Sequence, residues 1–164
     1  MLKTPDLVRK LILTGTGPAG GTGIARVGAV SWPLIIKGML TLQDPKTYLS
    51  RRQPIAGRAA KDFLAPLKER QIDRDEEPTP RAFLRQLSAI KTWGRQTPQD
   101  LGRIHIHVLV ANGDNDIMVP TSNSRDMARR IPNAKLVIYE DASHGGIFQY
   151  HAQFVPKALA FLAA

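Results

Sequence analysis

An α/β fold of about three parallel strands, interrupted by a helical region, is what this sequence predicts. Three observations predict it. The apolar run Leu11-Ile12-Leu13 closes into the glycine-rich stretch Gly15-Thr16-Gly17-Pro18-Ala19-Gly20-Gly21, as a short buried strand and its loop would. From Ile24 to about Gly94 the pattern turns helical and is punctuated by Pro33, Pro45, Pro54, Pro66, Pro78 and Pro80. Beyond Pro98, strand-like and helix-like runs alternate, which implies parallel pairing through crossovers.

Taken in order, the first strand is expected within Leu7 to Thr14. In the helix after Pro80, Phe83, Leu84, Leu87 and Ile90 recur at helical spacing, with Arg81, Arg85 and Lys91 turned away. His107 to Ala111 reads as a strand, Thr121 to Ile131 as a short helix, and Leu136 to Tyr139 as a further strand. Ile147 to Ala163 closes the chain as a helix. Phe154, Val155, Ala158, Leu159 and Leu162 are expected on the one face that it lays across the sheet.

At 164 residues and 43% hydrophobic content the chain is sized for one domain with a real core. Its 23 Lys and Arg against 14 Asp and Glu leave a formal charge of +9, which raises nucleic acid or an anionic membrane as a partner. Arg51, Arg52, Arg58, Lys61, Lys68, Arg70, Arg81, Arg85 and Arg95 are, however, interleaved with Asp62, Glu69, Asp73, Asp75 and Glu76. A solvated helical face accounts for them, so neither nucleic acid nor membrane is expected. The absence of cysteine excludes disulfides, thiolate metal sites and thiol catalysis, and agrees with a reducing compartment. No signal peptide and no run of about 20 apolar residues is present, so a cytoplasmic protein is expected.

Loops leaving the C-terminal ends of parallel strands converge on one edge, and two of them carry chemistry. The strand ending at Ala111 runs into Asn112-Gly113-Asp114-Asn115-Asp116-Ile117-Met118-Val119-Pro120, and the strand ending at Tyr139 runs into Glu140-Asp141-Ala142-Ser143-His144-Gly145-Gly146. An acid and a histidine on adjacent strand ends can meet. A carboxylate on one imidazole nitrogen fixes the tautomer and leaves the other nitrogen free as a general base. The plainer alternative is an Asp that caps the helix after Pro120 and a histidine that satisfies a turn. Asp114 suits a side chain bonding its own turn, and is the substitute acid if Asp116 points away. His105 and His107 could mimic a metal pair but lack a nearby third ligand, so no metal is expected. His151 falls on the exposed side of the last helix, and Trp32 and Trp93 suit either a pocket wall or core packing.

Gly113, Asp116, Val119 and Pro120 match the Gly-x-x-Asp pattern, followed by an apolar residue and Val-Pro, that α/β-hydrolases show after the strand bearing their acid. Ser143-His144-Gly145 falls where that family carries its histidine, and Pro5 to Leu13 is similar to its stretch leading into the sixth strand. The chain therefore resembles the C-terminal half of an α/β-hydrolase. The resemblance implies a truncated α/β-hydrolase fold, with core elements in 1–14 and 99–164 and a helical cap or lid over 15–98. It implies Asp116 as the orienting acid, His144 as the base, no cofactor, and a small ester-like or other acyl substrate. Epoxide, haloalkane or carbon–carbon bond hydrolysis shares the scaffold.

No Gly-x-Ser-x-Gly elbow occurs: Ser31, Ser50, Ser88, Ser122, Ser124 and Ser143 all lack the flanking glycines. The resemblance sets that elbow before Met1, and the oxyanion donors with it. Loss of a nucleophile costs on the order of a million-fold, so the isolated chain is expected to be almost inert. The strand at 11–14 is expected to expose an edge that seeks a homo-oligomer or a complementing N-terminal half. A natural short protein, a gene remnant or a stretch beginning at an internal methionine all fit. Two rivals remain: a non-catalytic interaction module, and dinucleotide binding by Gly15-Thr16-Gly17-Pro18-Ala19-Gly20. Against the second, Pro18 and the further glycines oppose a helix starting there, and no acid follows Trp32 to Lys37 to hold a ribose.

Overall fold

A computed structural model describes residues 5–41, 72 and 79–164. After a turn of 3-10 helix at Pro5–Leu7, strand β1 spans Lys10–Thr14. Helix α1 runs over Val27–Thr41 and α2 over Pro80–Trp93. Then come β2 (His107–Gly113), α3 (Ser122–Arg130), β3 (Ala134–Tyr139), the short α4 (Gly146–Gln149) and α5 (His151–Ala163). Of the stretch expected as a helical cap, 42–71 and 73–78 lie outside the described residues, and with them the charges from Arg51 to Glu76.

The sheet is parallel, in the order β1-β2-β3. Lys10 sits beside His107 and Leu13 beside Val110, while Val108 sits beside Ala134 and Gly113 beside Tyr139. β2 is the buried centre, which explains its unbroken apolar run. Alternate residues serve two faces. Val108 and Val110 pack with Leu101, Ile104, Met127 and Ile131 under α3, helped by Leu11 and Leu13. Each fully buried Val contributes about 2 kcal/mol. On the other face Ala111, Tyr139 and Ala142 pack with Val137, Ile147, Tyr150 and Phe154 under α4 and α5. Among the described residues β1 is an edge.

Three expectations are corrected. The closing helix is broken at Tyr150, whose ring stacks on Tyr139 at 5.1 Å and whose hydroxyl donates to the Glu140 carbonyl. Those contacts hold it at φ −110°, ψ 32°, outside helical geometry. The inward stripe of α5 is also narrower than expected: Phe154, Ala158 and Phe161 are half-buried, whereas Val155, Leu159 and Leu162 remain 48%, 63% and 53% exposed. The three strands among the described residues cover one row of the helix and leave the adjacent row in solvent. On α2, whose Thr79 cap accepts from the Ala82 amide, Phe83, Leu87 and Ile90 turn inward but Leu84 does not.

Candidate active site

The two chemistry-bearing loops leave the C-terminal ends of neighbouring strands and meet at Gly113. A Cβ here would lie 2.1 Å from the Ala142 carbonyl oxygen and 2.4 Å from that of Ser143. Only a residue without a side chain lets the loop after β3 cross the end of β2. Asp141 turns that loop with φ 51°, a left-handed conformation that Asp tolerates better than most residues. Beyond the crossing, Nδ1 of His144 lies 2.9 Å from Oδ2 of Asp116.

The Asp116 side chain is fully buried, and both of its oxygens are used. Oδ1 accepts the Met118 and Val119 amides at 2.9 Å each, so the desolvated carboxylate is met by donors on every side. Buried amides brace the loop. Asn112 accepts the Gly113 amide at 2.9 Å and reaches the Val119 carbonyl at 3.5 Å, and Thr121 donates to the Gly113 carbonyl at 2.5 Å. Asn123 donates to the carbonyls of Thr22 and Pro120, both at 2.9 Å, tying the acid loop to the glycine-rich loop after β1. Sequence reasoning missed Asn112 and Asn123. An amide in a strand end and another in the first turn of α3 were the available signals.

His144 is one-third exposed and lines a cavity of about 200 Å³. Met118 and Val119 form its floor on the acid side; Ile24, Val27, Ile90 and Trp93 come from the helical region. Trp93 donates its indole N–H to the Gly17 carbonyl at 3.1 Å, so it is a pocket wall with an anchored edge, whereas Trp32 lies edge-on to Phe83 at 5.8 Å and is partly exposed. Gly15 abuts the imidazole: a Cβ there would fall 3.1 Å from Cε1, and its φ of +53° disfavours any side chain.

Asp114 lies outside the pair, accepting from the Asn115 side chain at 2.9 Å and from the Ala142 amide at 3.2 Å. The Ser143 amide and hydroxyl both donate to Gln149, at 2.9 and 3.3 Å. Ser143 is thus turned from its neighbour His144. His105, His107 and His151 are exposed, and among the described residues no three potential ligands group as a metal site would. Tyr139, beneath the histidine loop, has a buried hydroxyl without a hydrogen-bond partner, and burial pushes its pKa above the ordinary tyrosine value.

Among known proteins, an α/β-hydrolase family described as TAP-like protein matches residues 85–164. A solved α/β-hydrolase fold protein from Chitinophaga pinensis is 32% identical, with a TM-score of 0.85 over 96% of this chain and 57% of its own. In fold and in the matched segment this chain is similar to α/β-hydrolases. A pimeloyl-(acyl-carrier protein) methyl ester esterase of Nitrosomonas europaea is 26% identical over 94% of the chain and 62% of its own length. A non-heme chloroperoxidase of Kitasatospora aureofaciens is 46% identical over 48 residues, 29% of this chain and 18% of its own. The chain thus spans under two thirds of these relatives. Their names differ in chemistry, and fold alone does not decide between reactions. Among the described residues no helix is long and apolar enough to cross a membrane.

Proposed function

We propose that Asp116 and His144 are the orienting acid and general base of an acyl hydrolase acting on a carboxylic ester or similar substrate. The observation that supports this most is the 2.9 Å contact between Oδ2 and Nδ1, with Oδ1 already committed to two backbone amides. A carboxylate so held keeps the imidazole proton on Nδ1 and leaves Nε2 basic. Given a nucleophilic hydroxyl at Nε2, the imidazole takes its proton as the oxygen attacks the acyl carbon. It then returns that proton to the departing alkoxide. Water follows the same route, releasing the carboxylic acid and restoring the hydroxyl. Asp116 stays ionised and offsets the charge of the transient imidazolium.

The nucleophile is assigned to a segment outside this sequence. Ser143 is committed to Gln149, Ser31 on α1 donates to the Val27 carbonyl, and Ser124 is buried within α3. A parallel strand adding along the free side of β1 would carry an elbow to the same edge as His144. Ile24, Val27, Ile90 and Trp93, from the described part of the stretch expected as a cap, line an apolar cavity that suits a small uncharged acyl group.

The test is hydrolysis of p-nitrophenyl butyrate by the chain alone, by the chain with an N-terminal half from a homologue, and by the same complex carrying His144→Ala. Expected are negligible turnover alone, turnover on complementation, and its loss in the variant. Turnover by the chain alone, or complemented turnover that survives His144→Ala, contradicts the reading. A complex that assembles and stays inert favours a non-catalytic interaction module.

A further inference from the structure

A second cavity, of about 530 Å³, opens at the opposite end of the sheet beneath α5. It belongs to no part of the reaction above. Lys10 and His107 are the first residues of β1 and β2, and Lys135 is the second of β3, so all three mark the N-terminal ends of the strands. The catalytic pair sits past the other ends, about 20 Å away along strands that rise about 3.3 Å per residue. Register places Lys10 beside His107, and Leu109 beside Lys135. These residues therefore share the sheet face that α5 covers.

The cavity is cationic at its rim and apolar at depth. Lys135 and Lys157 are exposed at the rim, and among the described residues neither is held by a hydrogen bond or an ion pair. None of the lining side chains is acidic. Lys10 behaves differently, because its ammonium donates to the Phe161 and Leu162 carbonyls at 2.8 and 3.1 Å and closes the C-terminal end of α5 over the hollow. Leu109, buried in the sheet, forms the floor, with Val137 beside it and Phe161 above. Lys135 and Lys157 leave the rim net cationic in its side chains, a charge that an anion would complement. A purely inorganic anion would leave the apolar floor unused.

We propose that this cavity binds an amphiphilic monocarboxylate, its head between Lys135 and Lys157 and its chain along Leu109, Val137 and Phe161. The volume is in the range of about 300–1,000 Å³ usual for small-molecule sites. Recognition is by charge complementarity at the rim and apolar contact at the floor, so each half has its own control.

Titration calorimetry of the chain with decanoate tests it, alongside 1-decanol and acetate. Expected is saturable one-to-one binding of decanoate, at least tenfold weaker for either control, and at least tenfold weaker for Lys135→Glu/Lys157→Glu. Both lysines are exposed, so circular dichroism should be unchanged; Lys135→Gln/Lys157→Gln, which removes charge without reversing it, should weaken binding several-fold. The proposal is overturned by absent saturation, by equal binding of 1-decanol, or by full affinity in the reversed variant. Loss of ester hydrolysis in complemented His144→Ala leaves this binding intact, which separates the two claims.

Discussion

The two ends of the parallel sheet are built on opposite principles. At the C-terminal end the polar groups are buried and paired: Asp116 meets two amides and an imidazole, and Asn112 and Asn123 bridge loops through backbone partners. At the N-terminal end the ammonium groups of Lys135 and Lys157 stand in solvent around a hollow. Asp116 is fixed by its partners at one end, whereas Lys135 and Lys157 present charge to solvent at the other. Mutations should therefore be severe at the first and nearly silent at the second, because unsatisfied buried groups cost far more than altered surface charges.

Gly113→Ala should have the largest effect. The new methyl would collide with backbone at Ala142 and Ser143, and urea unfolding should show a loss of about 3 kcal/mol or more. Retained stability would mean that the histidine loop is free to lift off, and the contrast would fail. Tyr139→Phe is expected to shift stability at neutral pH by about 1 kcal/mol or less, towards gain, since it removes a buried hydroxyl without a partner. It also sharpens the contrast with pH. Burial raises the folded-state pKa of Tyr139, so its contribution is fully present below the unfolded value of about 10 and is lost as pH rises through the folded value. Alkaline unfolding curves should be flatter in the variant; an identical alkaline loss would point to another group. Smallest of all, Lys135→Gln/Lys157→Gln should change unfolding stability by less than about 0.5 kcal/mol, and a larger loss would reveal hidden pairing at the rim.

Much of the candidate site's edge was legible in the sequence because spacing and chemistry coincide there. Gly113, Asp116 and Pro120 announce a loop, and the reason for glycine emerges only when the second loop is seen to cross it. The apolar runs at Leu11–Leu13 and His107–Ala111 likewise sit where β1 and β2 do. The other end was not legible. Lys10, His107, Lys135 and Lys157 are far apart in the chain and look like scattered solvated charges until parallel register aligns them. Helical periodicity also could not choose between two adjacent stripes on α5, since Phe154–Ala158–Phe161 and Val155–Leu159–Leu162 are equally apolar. The strands among the described residues cover the first of them.

The pairing of Asp116 with His144 is tested most directly by nitrogen NMR of the His144 ring in the chain alone. A proton on Nδ1 and a bare Nε2 are expected in the neutral imidazole, with that preference lost in Asp116→Asn. A ring protonated on Nε2, or a tautomer indifferent to Asp116→Asn, would contradict the pairing.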